Sequence, residues 1–322
     1  MSLSNRPRYA TRLNAFKTKG DSVAEMIAKV AAVGGLNAAD LNYPDHFDHH
    51  TAREVSRVLA DHGLALNGLA MRYYTDPGFR LGAFTHPDST VRRAAIDLTK
   101  SGIDAAAEMG APLMTLWLGQ DGFDYSFQSD YTRMWDDTIA AIAEVADHNP
   151  DVDISIEYKP NEPRAHVVLP DMATTLLALT EVGRANTGVT LDFCHMLFAG
   201  EMPAKAAMLA ARRSRILGVH LNDGYGKRDD GLIAGSVHPV QTVELFVALM
   251  RAGYDGAIYF DTFPDHGGTN PLQEARANIA LTERLREIAA GLANSADLAA
   301  AQAAQDAARA TRIVTSAIYG LP

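Results

Sequence analysis

Short runs of apolar and β-branched residues recur along the chain, separated by segments whose apolar positions fall three and four residues apart. The first pattern predicts strands buried on both faces, and the second predicts amphipathic helices packed on one side. Eight strand runs stand out, at 12–16, 36–43, 64–73, 113–118, 152–158, 188–193, 216–221 and 257–260. Segments such as SVAEMIAKVAAVGG (22–35) and TVRRAAIDLTKSGIDAAAEMG (90–110) carry the helical spacing. Both end in Gly, the residue that leaves a helix through the left-handed region at least cost.

Strand and helix in alternation predict βα units on a parallel sheet. Eight such units without a shift of composition predict an α/β chain folded as a closed (β/α)8 TIM barrel, the catalytic domain, over residues 1–290. The Gly-rich turn that cradles a dinucleotide's phosphates is missing after the first strand, which argues against any organic cofactor of that kind. Residues 291–322 form an Ala-rich stretch ending RIVTSAIYGLP. Such a stretch is helix-prone but has few large side chains to bury, so it predicts a helical arm stabilised by packing across a neighbouring subunit. A homodimer or homotetramer is the corresponding expectation.

Composition narrows the setting. Hydrophobic residues make up 47% and charged residues 21% of 322, the balance of a globular chain with a large core. A net charge of −10 excludes the basic face that a nucleic acid or an anionic membrane requires. Cys194 is the only cysteine, so no intrachain disulfide forms and a reducing, cytoplasmic location is expected. The N-terminal stretch has basic residues but no apolar run behind them, and no segment is apolar enough to span a bilayer; neither a signal peptide nor a membrane anchor is expected.

In a barrel of this kind the side chains that meet a substrate come from the carboxyl ends of the strands. Those ends read ISIEYKPNEPR, VTLDFCH, GVHLND and IYFDTFP for strands five to eight, and each sets one ionisable group in or just past an apolar run: Glu157, Asp192, His220 and Asp261. Three carboxylates brought to one axis repel unless a cation neutralises them. Oxygen-rich ligation with one imidazole suits a hard divalent ion, Mn²⁺ first and Mg²⁺ or Co²⁺ next. Asp192 and His195 form a D-x-x-H pair that reaches toward a second ion, and Asp229 with Asp230 in the loop NDGYGKRDDGL completes a second, more exposed site. Lys159 stands two residues past Glu157, on the same face of an extended strand, where an ammonium polarises a carbonyl. A plain ion pair with Glu162 is the alternative role for that lysine.

These motifs resemble the xylose isomerase superfamily, and within it the L-rhamnose isomerase-like branch, over residues 36–271. EYKPNEPR is similar to the segment in which Glu holds the structural metal and Lys contacts a substrate oxygen, here Glu157 and Lys159. By the same resemblance LDFCH supplies a bridging Asp192 and a second-metal ligand His195, VHLND supplies His220 where xylose isomerases have Asp, and FDTFP supplies Asp261. LWLGQDG resembles the segment whose Trp, here Trp117, walls the sugar pocket, and GAFTHPDSTVRRAAI is like the loop and helix after strand three. The resemblance implies a metal-dependent aldose–ketose isomerase working on an unphosphorylated sugar by a 1,2-hydride shift, with Asp229 helping a second metal and its water to move the hydroxyl proton. Two departures mark this sequence. The D-x-D-L pattern becomes Asp229-Asp230-Gly231-Leu232, and no His/Asp pair stands early in the chain; strands two and three end in Asn42-Tyr43 and Arg72-Tyr73-Tyr74, so Asn42 and Arg72 are the substrate-binding candidates there. Proton-transfer epimerisation beside a ketone is the alternative activity on the same barrel. A nuclease or lyase fits the acidic chain poorly, and a non-catalytic sugar receptor is separated from an enzyme by assay.

Overall fold

The computed structural model describes residues 7–320; the first six residues of the expected leaderless N-terminus and the last two of the expected C-terminal arm lie outside the described residues. Eight parallel strands carry the fold: β1 (Tyr9–Thr11), β2 (Ala38–Tyr43), β3 (Ala65–Met71), β4 (Leu113–Trp117), β5 (Asp153–Glu157), β6 (Thr187–Asp192), β7 (Ile216–Leu221) and β8 (Ile258–Phe260). From β2 to β8 each pairs with the next, and β8 pairs with β1 through Tyr9↔Ile258 and Thr11↔Phe260. The barrel is brought to closure between β1 and β2 by the Arg12↔Asp40 bridge and the Asn37 N–H donating to Tyr9 O at 3.1 Å.

Helices follow the strands: α1 (Val23–Ala31), α2 (Ala52–Asp61), α3 (Ser89–Met109), α4 (Tyr131–His148), α5 (Met172–Val182), the short α6 (Phe193–Phe198), α7 (Pro203–Arg213), α8 (Pro239–Arg251), the one-turn α9 (Pro264–Gly267) and α10 (Pro271–Ala293). Their starts and stops are legible in residue chemistry. Ser22 and Thr51 open α1 and α2 with full capping boxes to Glu25 and Glu54, and Gly110 closes α3 at φ +69°. The main core lies between barrel and helices, whereas the barrel's amino-terminal interior is small and lined by Ala10, Ala38 and the Tyr259 ring. Among the described residues no helix is long and apolar enough to cross a membrane.

The C-terminal segment is helical: α11 (Ala296–Ala303) and α12 (Ala307–Tyr319) follow a break capped by Ser295. The 290/291 boundary therefore falls inside the last turn of α10. Leu298 and Ala301 anchor α11, whereas α12 has no fully buried side chain and lies against α8 and α10 through half-buried Ile313, Val314, Ala317 and Ile318.

The first strand is the one expectation of the fold that needs correcting. RLNAF (12–16) is one of the short apolar runs expected to be strands, yet the strand is Tyr9–Thr11 and Leu13–Phe16 is a turn of 3₁₀ helix. The edge of β8 decides the matter: Ile258 N donates to Arg8 O at 2.8 Å and Arg12 N to Phe260 O at 3.3 Å, so pairing is used up at Arg12. An antiparallel ribbon, Gly122–Phe123 with His166–Val167, has no counterpart in the sequence pattern; it roofs the β4 and β5 loops.

Candidate metal centre and active site

Glu157 ends β5, Asp192 ends β6 and His220 lies one residue before the end of β7, and register joins them: Glu157 pairs with Thr190, and Asp192 with His220. Asp261 follows β8 directly, two residues past Tyr259, whose ring centroid is 4.6 Å from that of His220. Period-two geometry puts all four on the inner face at one mouth of the barrel. One ligand-type atom from each of Glu157, Asp192, His220 and Asp261 lies within 4.8 Å of all the others. The first three are buried and Asp261 half-buried.

The electrostatics of this group call for positive charge. Burial raises the Asp192 carboxyl to about 7, and Asp229, Glu157 and Asp261 reinforce the rise against the pull of His195. Burial raises Asp261 too. At His220 burial opposes the charged form, but Glu157 and Asp261 outweigh it and carry the imidazole up to about 10. One imidazolium against three carboxylates, two of them buried, leaves a negative excess that a divalent ion would neutralise. Three carboxylates and an imidazole on a shell this tight also fit the ~2.1 Å bonds and oxygen-rich donor set of a hard ion.

A second group adjoins the first. Asp229 Oδ2 lies 3.1 Å from Lys159 Nζ and 3.1 Å from His195 Nε2. His195 Nδ1 lies 3.0 Å from the Tyr158 carbonyl and Nε2 faces the Asp229 carboxylate; both partners only accept, so both ring nitrogens donate, and against burial Asp192 and Asp229 carry the imidazole up to about 9. Lys159 also pairs with Glu162 at 3.0 Å and stands 5.2 Å above the Trp117 ring. Asp229 and the neighbouring Asp230 part company. Asp229 is half-buried at the mouth, while Asp230 turns away to accept from Tyr225 N at 2.8 Å and Arg228 Nε at 2.7 Å. Gly231 takes φ +58°, and a Cβ there would stand 2.3 Å from the Phe263 ring. The loop thus brings one aspartate, half-buried, into the site.

Of the substrate-binding candidates, Trp117 and Lys159 face each other, and a row of alternating groups continues past them: Tyr74 packs on Trp117 at 5.0 Å between centroids, and the Arg72 guanidinium lies 4.2 Å over Tyr74. Arg72 also faces Asp45 at 3.6 Å. Asn42 sits at the end of β2, its N–H donating to His46 Nδ1 at 3.0 Å and its carbonyl accepting from His46 N at 3.0 Å.

Four residues escaped the sequence reading. Asn222 donates to both oxygens of Asp192 (3.3 and 3.1 Å) and to Asp261 O at 3.2 Å, while accepting from Cys194 N at 2.8 Å; it ties two strand ends of the centre together. Its signal was available, since it stands two residues past His220. Asp40 lies inside the barrel, held by Asn67 at 2.9 Å and pushed up by burial to about 6. It was passed over because it precedes the end of its strand. Arg12 reaches Asp265 at 2.7 Å beneath the Phe263 ring, and Tyr259 floors the centre; both follow from where β1 and β8 actually pair.

The fold and the site together define a (β/α)8 barrel with a carboxylate–imidazole centre suited to a divalent metal at its mouth. The chain belongs to the xylose isomerase-like TIM barrel family, whose sequence profile matches residues 27–287. The xylose isomerase of Thermus thermophilus is 28% identical over 263 residues, covering 75% of this chain and 67% of that protein, and that of Thermus caldophilus is 29% identical over the same span. Among solved structures, a D-tagatose 3-epimerase-like protein superposes with a TM-score of 0.70 at 16% identity, covering 88% of this chain and 98% of that one. An L-ribulose 3-epimerase gives 0.70 at 18% identity, covering 90% and 98%. Identities this low establish the shared fold and leave the reaction to the site.

Proposed function

We propose that the protein is a divalent-metal-dependent aldose–ketose isomerase acting on an unphosphorylated sugar by a 1,2-hydride shift. The observation that carries this reading is Lys159: a 7% exposed ammonium, two residues past Glu157, fixed between Asp229 and the Trp117 ring beside the four-residue centre. Glu157, Asp192, His220 and Asp261 would hold the metal, Mn²⁺ first and Mg²⁺ or Co²⁺ next. When bound, that ion supplies Lewis-acid polarisation of the sugar oxygens on carbons one and two.

The chain's own groups do the rest. Lys159 donates N–H to the carbonyl oxygen where negative charge develops. Asp229, an acceptor that His195 and Lys159 keep ionised despite burial, takes the proton from the carbon-two hydroxyl and returns it to the oxygen on carbon one. Meanwhile the hydrogen on carbon two passes to carbon one with its electron pair, so no base on carbon is needed. The Trp117–Tyr74 wall keeps water from the ring face. His220 in place of an aspartate supports the finer likeness to the L-rhamnose isomerase-like branch.

A second reading, epimerisation beside a ketone, has one observation in its favour: the Glu157 and Asp261 carboxylates share the centre. That chemistry needs a base on each face of one carbon, and the shorter Asp261 with Lys159 beside Glu157 suits it less. Metal-stripped protein assayed on a panel of pentoses, hexoses and deoxy sugars should be inert, regain turnover on Mn²⁺ addition, and convert an aldose to its ketose. A panel on which only ketoses react, each to its epimer, supports the second reading, and no turnover on any sugar with Mn²⁺ removes both.

A further inference from the structure

Between the loops that follow β1 and β2 lies a cleft of about 900 Å³. Small-molecule sites run from roughly 300 to 1,000 Å³, so this one is large for the far end of a monosaccharide whose reactive carbons are held at the metal centre. Two of its walls lead back to that centre. Arg72 lines the cleft and lies 4.2 Å over Tyr74, which packs in turn on Trp117. Asp265 lines it as well and holds Arg12, whose guanidinium lies over the Phe263 ring, two residues past Asp261.

The lining is polar and its charges nearly balance. Three of its carboxylates are matched by cations: Asp45 by Arg72 at 3.6 Å, Asp265 by Arg12 at 2.7 Å and Asp21 by Lys29 at 2.5 Å. Lys17, Asp48 and His49 also line it and stand exposed, whereas its apolar side chains, Val23 and Met26, are buried. An apolar ligand would strand these polar groups, and an anionic one would meet the Asp45, Asp48 and Asp265 carboxylates. Hydroxyls both donate and accept, so a neutral ligand carrying many of them can serve the carboxylates and the cations in turn.

We infer that the cleft is a second sugar subsite and that the preferred substrate is a reducing disaccharide, its aldose end at the metal centre and its neutral glycosyl unit in the cleft. The inference rests on the proposed function for the place of the aldose end and deepens it by naming the substrate class.

The test measures binding first and turnover second. Mn²⁺-loaded protein is titrated by calorimetry with xylose and xylobiose, mannose and mannobiose, and glucose with maltose, cellobiose and melibiose. Each sugar is then assayed for conversion. At least one disaccharide should bind about tenfold or more tighter than its parent aldose, the worth of one or two net hydrogen bonds, and should be converted with a correspondingly lower KM. His49→Trp, which narrows the cleft, should remove that advantage and leave binding of the parent aldose unchanged. Should His49→Trp fail to fold, as judged by circular dichroism, Lys17→Ala combined with Asp48→Ala takes its place with the same expectation. Disaccharides that bind no tighter than their parents, or an advantage that the variants leave intact, overturns the subsite and leaves the isomerase reading to monosaccharides. Glucuronate binding tighter than every disaccharide would make the cleft an anion site and overturns it too. A disaccharide advantage that the variants remove, with no sugar converted, upholds the subsite and overturns the isomerase reading alone.

Discussion

At the residue scale the strand-end carboxylates and imidazole were legible because each interrupts an apolar run at the place where a barrel strand stops. Residues that act on others were harder to see. Asn222, which braces Asp192 and Asp261, carries only its place two residues past His220 as a sequence signal. The roles also divide into testable parts. Glu157→Gln should lose metal and activity together. Lys159→Ala should keep the ion at the first centre yet lose turnover by a factor on the order of 10²–10³, the scale of removing one donor to a developing negative charge; bound Mn²⁺ and kcat measured side by side check this, and full activity in either variant contradicts the assignment. His46 gives a prediction in pH. Its Nδ1 accepts from Asn42 N and its Nε2 faces Asn14 Oδ1 at 2.9 Å, and burial, with Arg72 and Lys17 nearby, pushes the imidazole down to about 3. An unfolded His titrates near about 6.5, so below that pH the unfolded chain binds a proton that the folded chain refuses until about 3. Stability should therefore fall as pH drops through that window, and His46→Gln should flatten the fall. Urea midpoints at neutral pH and at about pH 4.5 measure it; equal losses in both proteins would remove His46 from the account.

At the element scale, helices declared themselves through caps and spacing, and seven of the eight strand runs overlap the strands found. The first did not, because pairing with β8 outweighs a local apolar pattern only five residues long. The Gly122–Phe123 ribbon was invisible for a related reason: two-residue strands have no period, and what requires Gly122 is His166, 44 residues away, whose carbonyl oxygen would lie 2.0 Å from an added Cβ. The loop after β7 is joined to the loop after β8 by Phe263 N donating to Gly231 O at 2.9 Å, with the Phe263 ring lying over Gly231. Gly231→Ala combines a left-handed backbone, costing about 1–2 kcal/mol, with overpacking of about 1–3 kcal/mol. Thermal denaturation should show that loss, and adding Phe263→Ala should recover its packing part. A neutral Gly231→Ala would mean that this clasp does not hold the site's loop.

At the scale of the whole molecule, an acidic chain closes a barrel and gathers its charged strand ends at one mouth, where the negative excess would suit a cation. The sequence shows that gathering because barrel topology converts order along the chain into adjacency around an axis. It does not show the sugar, since the Trp117–Tyr74–Arg72 wall and the end of β2 are assembled from segments whose spacing carries no stereochemistry. The central claim is a hydride shift at a metal centre, and the most direct test is to supply an aldose deuterated at carbon two to the Mn²⁺-loaded protein and follow the ketose by NMR. Deuterium retained on carbon one of the product is the predicted result. Deuterium lost to solvent would contradict it and make the reaction a proton transfer.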